Sequence, residues 1–237
     1  KGRGVVVATP IRDPQGELLL DLQRIKDAWA QHYTKLCSDP AGLSKDPNHW
    51  EQHLRGEPRD EIEGINDPIS WHEVHAVIKK LRNGKAAGIS GMPNEWLKVC
   101  VEEEPLQEAP RSEMGKIILD LVRRMIYQGT IPDALNRAMV ISIPKKGDPT
   151  CMDNYRGIAL MEVLLKLTAT VAIRRVEGAL EKEGILIKEQ AGFRSKQECM
   201  AQVVTLYELA KRRKLAGLST FIAFLDFMKA YDSVPHE

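Results

Sequence analysis

Residues 137–160 predict a β-hairpin, and one short hairpin among long helical stretches is the feature that most limits how this chain can fold. The apolar run from Met139 to Ile143 is ended by Pro144, KKGDP supplies a turn, and NYRGIAL returns beside the first strand. Elsewhere, apolar residues at three- and four-residue steps predict helices. The strongest helical stretches are 18–38, 70–83, 115–129, 161–184 and 198–217. We therefore expect a helix-rich α+β fold.

Two further signals concern the ends of these elements. Ser70 and Glu73 have the spacing of a capping box, in which each side chain accepts a hydrogen bond from the other residue's amide. STFIAFLDF, at 219–227, has apolar residues on both faces and predicts a buried central strand that ends at Asp226. A carboxylate at such a strand end can bind Mg²⁺, and it equally suits a simple strand-terminating turn. Asp232 follows six positions later and cannot easily share an ion with Asp226 if the residues between them turn into a helix.

Composition excludes several classes of protein. The net charge of the 237 residues is +1, so any binding of nucleic acid must come from local clusters of cations. No apolar run approaches the roughly 20 residues of a membrane helix, and we predict no membrane insertion. The four cysteines form no CxxC pair, which favours an intracellular, reducing compartment, whether nuclear, cytoplasmic or organellar. The chain does not begin with methionine, which predicts a piece of a longer protein or a processed chain.

Two histidine pairs have the spacing of metal ligands on a helix. His49 and His53 are four residues apart, and His72 and His75 are three apart. No carboxylate or thiol stands at a matching spacing, so we interpret these histidines as solvated or helix-capping side chains and not as zinc ligands.

The predicted hairpin brings three cations together. Lys145 and Lys146 stand at its tip, and Arg156 lies on the returning strand. Two lysines supply point charges and an arginine supplies a bidentate fork, so the three side chains suit a triphosphate. The alternative is a solvated turn, because KKGDP suits any exposed hairpin.

Two loops have the composition of phosphate or nucleic-acid contacts. NGKAAGISGMPNEW allows close backbone approach at Gly84, Gly88 and Gly91, with Lys85 as a cation, although its spacing is not that of a Walker loop. The loop EQAGFRSKQ surrounds an aromatic with polar and basic side chains, which suits a single strand or the edge of a duplex. These residues are Gln190, Gly192, Phe193, Arg194 and Lys196. The alternatives are a flexible interhelical loop for the first stretch and a core plug formed by Phe193 for the second.

Taken in order, five stretches of the chain resemble the N-terminal half of a non-LTR (LINE-type) retrotransposon reverse transcriptase. They are GELLLDLQRIKDAWAQHYTKL, VHAVIKKLRNGKAAGISGMPNEWLK, GTIPDALNRAMVISIPKKGDPTCMDNYRGIAL, EQAGFRSKQEC and FLDFMKAYDSVPHE. The resemblance implies the fingers subdomain and the beginning of the palm of a right-hand polymerase. Its boundaries would be a helical extension and linker at 1–64, fingers at 65–218, and the first strand of an incomplete palm at 219–237.

The same resemblance implies roles for single residues. Asp226 would be the catalytic, metal-binding aspartate of the palm, with the Phe227 carbonyl on the same Mg²⁺ ion. Tyr231 would stack under the nucleotide sugar and reject a 2′-hydroxyl, whereas Asp232 would be structural. The remaining roles concern the hairpin and the two loops. Lys145 or Lys146, with Arg156, would hold the incoming triphosphate, and Lys85, Gln190, Gly192, Phe193, Arg194 and Lys196 would lie along template and primer.

The chain also departs from the pattern of that family. Ala87, Ile89 and Ser90 stand where the family's glycine-rich loop carries two prolines and an aspartate, which removes rigidity and a capping acid. Met228 is an unusual apolar residue beside the palm aspartate. The aromatic-x-Asp-Asp motif that supplies the other catalytic carboxylates does not occur in these 237 residues. One aspartate cannot hold two Mg²⁺ ions through an in-line displacement, so we predict that the chain alone is inactive.

Two functions follow from the resemblance. The first is the N-terminal portion of an RNA-directed DNA polymerase, truncated before its second catalytic palm motif, with RNA template, DNA primer and dNTP as partners. The alternative is a domesticated relic that binds nucleic acid or serves as a structural subunit without catalysis. In that case other protein subunits would complete or replace the palm.

Overall fold

The computed structural model describes residues 9–53, 62–101, 109–187, 189–194, 197–227, 229–231 and 234. Helices dominate these residues, and the strands form two small antiparallel pairs. The strands are β1 (Ile11–Arg12), β2 (Leu18–Leu19), β3 (Ala138–Pro144) and β4 (Tyr155–Met161). The helices are α1 (Leu22–Leu36), α2 (Pro47–His53), α3 (Trp71–Lys80), α4 (Asn94–Cys100), α5 (Glu113–Tyr127), α6 (Val163–Lys182) and α7 (Cys199–Leu215). This mixture confirms the α+β class and its high helix content.

The chain divides into two compact units. The first comprises 1–61, 66–173 and 229–237, and the second comprises 62–65 and 174–228. The hydrophobic core of the first unit lies among α3, α4, α5 and the first half of α6, where Trp71, Ile78, Leu97, Ile118 and Leu167 are fully buried. The apolar faces predicted for α3, α5 and α6 therefore pack together, and α4, which the sequence analysis did not predict, joins them through Leu97.

The start of α3 confirms the predicted capping box. Ser70 Oγ accepts a hydrogen bond from the Glu73 amide at 3.3 Å, and Glu73 Oε2 accepts one from the Ser70 amide at 2.8 Å. Two amides at the helix start that lack partners within the helix are thereby satisfied.

The N-terminal helix begins later than its apolar pattern predicts. Leu18 and Leu19 pair with Ile11 and Arg12 in β1–β2, and α1 begins only at Leu22. The side chain of Asp21 caps the helix by accepting a hydrogen bond from the Arg24 amide at 2.9 Å. Strands of two residues are too short to show an alternating pattern, which is why the sequence did not reveal them.

The mid-chain hairpin is confirmed. β3 and β4 pair antiparallel in a register that runs from Ala138 opposite Met161 to Pro144 opposite Tyr155. Strand residues directly opposite each other share a face, so this register decides which side chains lie together.

The strand predicted at 219–227 is not formed. Residues 218–227 contain no strand or helix, and Phe221 and Leu225 are 94% and 95% exposed. The prediction of a buried strand is therefore wrong for this chain. A strand is buried only when neighbouring strands pair with it, and none of the strands in the described residues does so.

The second unit leaves many apolar side chains exposed. No residue of α7 is buried. The helix ends at Leu215, Gly217 follows with a φ of +71°, and Arg213 donates to the carbonyl of Ser219 at 2.9 Å. The segment from 218 to 227 thus leaves the helix end in a defined direction with its apolar side chains exposed.

Candidate functional site

The turn of the β3–β4 hairpin is ordered by its own side chains. Asp148 Oδ1 accepts hydrogen bonds from the amide and hydroxyl of Thr150 at 2.8 and 2.7 Å, and these bonds lower the pKa of the aspartate. Asn154 Nδ2 donates to the Asp148 carbonyl at 3.1 Å. The Lys145 amide donates to the Asn154 carbonyl at 2.7 Å, which extends the ladder to the base of the turn. Lys145 is therefore held in place by its backbone.

The register places two of the predicted cations on one face of the hairpin. Arg156 is directly opposite Ile143. Lys145 directly follows β3, and its amide bond to the Asn154 carbonyl continues the pairing, so the alternation along β3 predicts that its side chain is on the same face. Lys146 and Arg156 are exposed, and Lys145 is half-buried. Their contact with a triphosphate stays a prediction.

Helix α1 braces the opposite face of the hairpin. The hydroxyls of Tyr33 and Ser142 are 2.9 Å apart, and a Cβ atom at Gly157 would stand 2.9 Å from the Tyr33 ring. Trp29 meets Tyr155 edge-on with ring centroids 5.0 Å apart. Ser142 and Gly157 are the sequence neighbours of Ile143 and Arg156, so they point to the opposite face of the hairpin. The contacts with α1 therefore leave the face of Arg156 uncovered.

Gly157→Ala should lower the free energy of unfolding by about 1–3 kcal/mol, because the added methyl group meets the Tyr33 ring, whose hydroxyl is already hydrogen-bonded. Urea denaturation of the purified chain measures this loss. The matched control is Gly178→Ala, inside the second half of α6, where a Cβ atom has nothing within 4 Å. The control should stabilise the protein by about 0.5–1 kcal/mol, as alanine does in a helix. An unchanged midpoint for Gly157→Ala would contradict the contact with Tyr33.

The glycine-rich loop is anchored at both ends. At its start, the Gly84 amide donates to Glu95 Oε1 of α4 at 2.6 Å, which lowers the pKa of that carboxyl. At its end, the Ser90 amide and hydroxyl both donate to Glu162, at 2.8 and 2.5 Å. Lys85 lies between these anchors and is exposed. The loop is therefore tied by hydrogen bonds to α4 and to Glu162, and its contact with phosphate or nucleic acid stays a prediction.

Glu162 is a site residue that the sequence analysis missed. It stands between β4 and α6, is 3% exposed, and its pKa is lowered by the hydrogen bonds from Ser90. Gly88 allows the close approach, since a Cβ atom there would be 2.9 Å from the Glu162 carboxyl group and from the Met161 carbonyl. The available signal was an acid within the apolar run ALMEVLL, where an ionised side chain needs a buried donor.

In the second unit, the loop at 189–194 folds around Arg194. Its guanidinium pairs with Glu181 through two bonds of 2.8 Å and donates to the Ile187 carbonyl at 3.0 Å. Arg194 is accordingly only 15% exposed at its side chain. Gln190 donates to the Gly192 carbonyl at 3.2 Å, and Phe193 is exposed with a φ of +61°. An exposed Phe193 does not fit the alternative of a core plug, and Lys196 lies outside the described residues.

The residues predicted around the palm aspartate belong to different units. Asp226 and Phe227 are exposed in the second unit, and Tyr231 is exposed in the first. Asp232 and Met228 lie outside the described residues.

The donors present give a metal ion only part of a site. Among the described residues, no group of three or more His, Cys, Asp or Glu side chains is arranged to hold one. Asp226 alone fits Mg²⁺ as a single hard-oxygen ligand and does not fit a complete two-metal site.

The histidine pairs do not converge on a metal site with any third ligand in the part of the chain that is described. His72 is exposed while His75 is buried beside Trp71, with ring centroids 5.8 Å apart. His49 and His53 lie 4.2 Å apart, centroid to centroid, on the exposed α2.

All four cysteines are free thiols. Within the described residues, each helix is too short or too polar to cross a bilayer.

No protein-family model matches the chain. It is similar to the RNA-directed DNA polymerase from mobile element jockey of Drosophila funebris, with 27% identity over 175 residues, which cover 72% of this chain and 18% of that protein. It is 25% identical over 189 residues to the Retrovirus-related Pol polyprotein from type-1 retrotransposable element R2 of Nasonia vitripennis, covering 78% of this chain and 16% of the relative. The Transposon TX1 uncharacterized 149 kDa protein of Xenopus laevis is 23% identical over 232 residues, covering 97% of this chain and 16% of its own length. The chain thus spans less than a fifth of each of these relatives.

Proposed function

Because this chain is related to the RNA-directed DNA polymerases of non-LTR retrotransposons, we propose that it forms the fingers and the beginning of the palm of such a polymerase. The observation that carries the proposal is the β3–β4 hairpin, in which Arg156 pairs with Ile143 and Lys145 directly follows the first strand at the tip. The hydrogen-bonded turn at 148–154 and the contacts of α1 with the opposite face of the hairpin hold the backbone that carries these cations. The similarity along the chain, with the hairpin in its expected place, supports the fingers assignment.

The reaction would be attack of a primer 3′-hydroxyl on the α-phosphate of a dNTP, with pyrophosphate as the leaving group. Lys145, helped by Lys146, and Arg156 would hold the triphosphate and offset its charge. Tyr231 would lie under the sugar and exclude a 2′-hydroxyl.

A magnesium ion would be held by Asp226, with the Phe227 carbonyl as a further oxygen ligand. When bound, Mg²⁺ supplies charge neutralisation and activation of the attacking hydroxyl. A two-metal site needs further carboxylates, and the sequence has no aromatic-x-Asp-Asp motif to provide them. Those carboxylates would have to come from outside these 237 residues.

Template and primer would follow the two loops. Lys85 is exposed on a loop fixed at both ends, and Phe193 presents an aromatic ring to solvent, which suits stacking on a base. Gln190, Gly192 and Lys196 would add contacts to the backbone. Arg194 would act mainly by shaping this loop, since Glu181 and the Ile187 carbonyl already bind its guanidinium.

The exposed apolar surface of the second unit supports a larger palm. Phe221, Leu225 and α7 present apolar side chains that a soluble protein normally buries against another element. Strands of the remaining palm, whether in the same polypeptide or in a partner subunit, would pair with 219–227 and turn it into the buried strand that its sequence predicts.

Primer extension on an RNA template with Mg²⁺ tests the proposal. The 237-residue chain should be inactive, and the full-length product of the gene should extend the primer. In the full-length protein, Arg156→Ala should raise the KM for dNTP by about 10-fold or more, because a charge-assisted contact to phosphate is lost. The matched control is Arg82→Ala, which removes an exposed arginine after α3.

Other outcomes would revise the assignment. Activity of the 237-residue chain by itself would refute the need for further carboxylates. A full-length product that binds RNA in a salt-dependent manner but never extends a primer would favour the domesticated relic.

A further inference from the structure

An ion pair joins the segment that carries Tyr231 to the hairpin. Within the first unit, Lys229 Nζ lies 2.5 Å from Asp153 Oδ1. Asp153 belongs to a single 3₁₀ turn, Met152–Asn154, that leads directly into β4. The two residues are 76 positions apart in the chain, so no local pattern in the sequence predicted their contact.

Lys229 is held in an unusual conformation. Its φ is +54°, in the left-handed region that side chains other than glycine rarely adopt. Its side chain is only 19% exposed and lines a cavity of about 890 Å³ between α1, the β1–β2 turn and the 3₁₀ turn. A lysine on a free surface extends its ammonium group into water. This one is mostly covered by the protein and pairs with Asp153, whose own side chain is 71% exposed.

Asp153 lies near the Lys229 ammonium group and near the hairpin that carries Lys145 and Arg156. The hydrogen bond from Lys229 lowers the pKa of Asp153, and the charges of His32 and Lys145 lower it further. The next residue, Asn154, accepts the Lys145 amide, and Arg156 follows two positions later. Asp153 is therefore next to the backbone that pairs with Lys145 and leads to Arg156.

We propose that Asp153 and Lys229 are positioning residues that fix the segment of Tyr231 against the hairpin of Lys145 and Arg156. This inference rests on the proposed function, and it adds a specificity role to it. The triphosphate is held by the hairpin and the sugar by Tyr231, so the ion pair sets the spacing between the two subsites. Correct spacing determines both the affinity for dNTP and the rejection of a 2′-hydroxyl.

The first experiment measures the coupling without any activity. Hydrogen exchange of the amides of residues 229–231 is followed in the purified 237-residue chain. Asp153→Ala should speed this exchange by about 10-fold, because the segment loses its tie to the hairpin. The control is Glu113→Ala, which removes an exposed ion pair of similar length, 2.6 Å, on α5. Unchanged exchange in Asp153→Ala would overturn the coupling.

The second experiment measures the consequence for the nucleotide. In the full-length product, Lys229→Ala and Asp153→Ala should each raise the KM for dNTP by about 10-fold with a smaller effect on kcat, and both should weaken discrimination against ribonucleotides. The double variant Lys229→Asp, Asp153→Lys should recover part of both losses, since it restores the ion pair with its charges exchanged.

The outcomes separate this inference from the proposed function. Faster exchange with unchanged KM and unchanged sugar discrimination would reduce the pair to a structural tie and overturn the positioning role. A wild-type product that never extends a primer would refute the proposed function and, with it, the specificity role. Hydrogen exchange would still decide whether Asp153 and Lys229 couple the two segments.

Discussion

Asp226→Asn in the full-length gene product should lower the rate of primer extension by about 1,000-fold or more, with little change in the affinity for template and primer. The Asp226 carboxylate would be the charged ligand of the expected metal site, and an amide carries no charge to hold Mg²⁺. Steady-state extension rates at saturating dNTP, together with a Mg²⁺ titration, measure the effect.

Asp133→Asn is the matched control for this substitution. It neutralises an exposed aspartate that precedes β3 and should leave the extension rate unchanged. If Asp226→Asn extends primers as fast as the wild type, the metal-binding role of Asp226 is wrong. The LDF sequence would then be only the strand-terminating turn of the alternative reading.

Ser90→Asp should destabilise the chain by about 2 kcal/mol at pH 7. The wild-type serine donates two hydrogen bonds to the buried Glu162, at 2.8 Å from its amide and 2.5 Å from its hydroxyl. An ionised aspartate cannot donate from its side chain, and it brings a second negative charge against a carboxylate that is 3% exposed. The family pattern carries aspartate at this position, but in this chain the serine there donates hydrogen bonds to the Glu162 carboxylate.

The stability loss in Ser90→Asp should depend on pH, and the pKa of Glu162 gives the direction. In the wild type, the pKa of Glu162 in the folded state is lowered, so its contribution to stability is present above the unfolded pKa of about 4.3 and is lost as the pH falls through the folded pKa. In Ser90→Asp, two adjacent carboxylates raise the pKa of the pair. A carboxyl pair whose pKa is raised in the folded state destabilises the fold at neutral pH, where both groups are ionised, and less in acid, where one is protonated. The difference in the free energy of unfolding between the wild type and Ser90→Asp should therefore shrink between pH 7 and about pH 5.

Thermal and urea unfolding at several pH values test this prediction. Ser90→Thr, which keeps a hydroxyl donor, should remain close to the wild type across the range. Equal stability of Ser90→Asp and the wild type at pH 7 would show that the Ser90–Glu162 contact is not a buried ionic one.

Local patterns in the sequence were sufficient for most of the elements. The apolar spacing of 115–129 and 161–184 led to α5 and α6 within two residues at each end, and Pro144 ends β3 as predicted. The Ser70 capping box was also correct. These features depend on hydrogen bonds and contacts between residues close together in the chain, which a periodic pattern or a spacing reveals.

The sequence was less informative about the candidate site. It predicted that the hairpin brings Lys145, Lys146 and Arg156 together, but the register of β3–β4 was needed to place Arg156 opposite Ile143. It also predicted a buried strand at 219–227 that the described residues cannot form, because burial of a strand requires partner strands that a periodic pattern does not supply.

What the sequence alone determined is the set of local elements, their order, and the relation to retrotransposon polymerases. What only the tertiary structure decided is which distant residues meet: Tyr33 against Gly157, Ser90 with Glu162, and Lys229 with Asp153. Each of these contacts joins residues more than 70 positions apart, and each depends on the packing of whole elements. The physical reason is that packing brings donors, acceptors and rings together through space, which spacing along the chain does not encode.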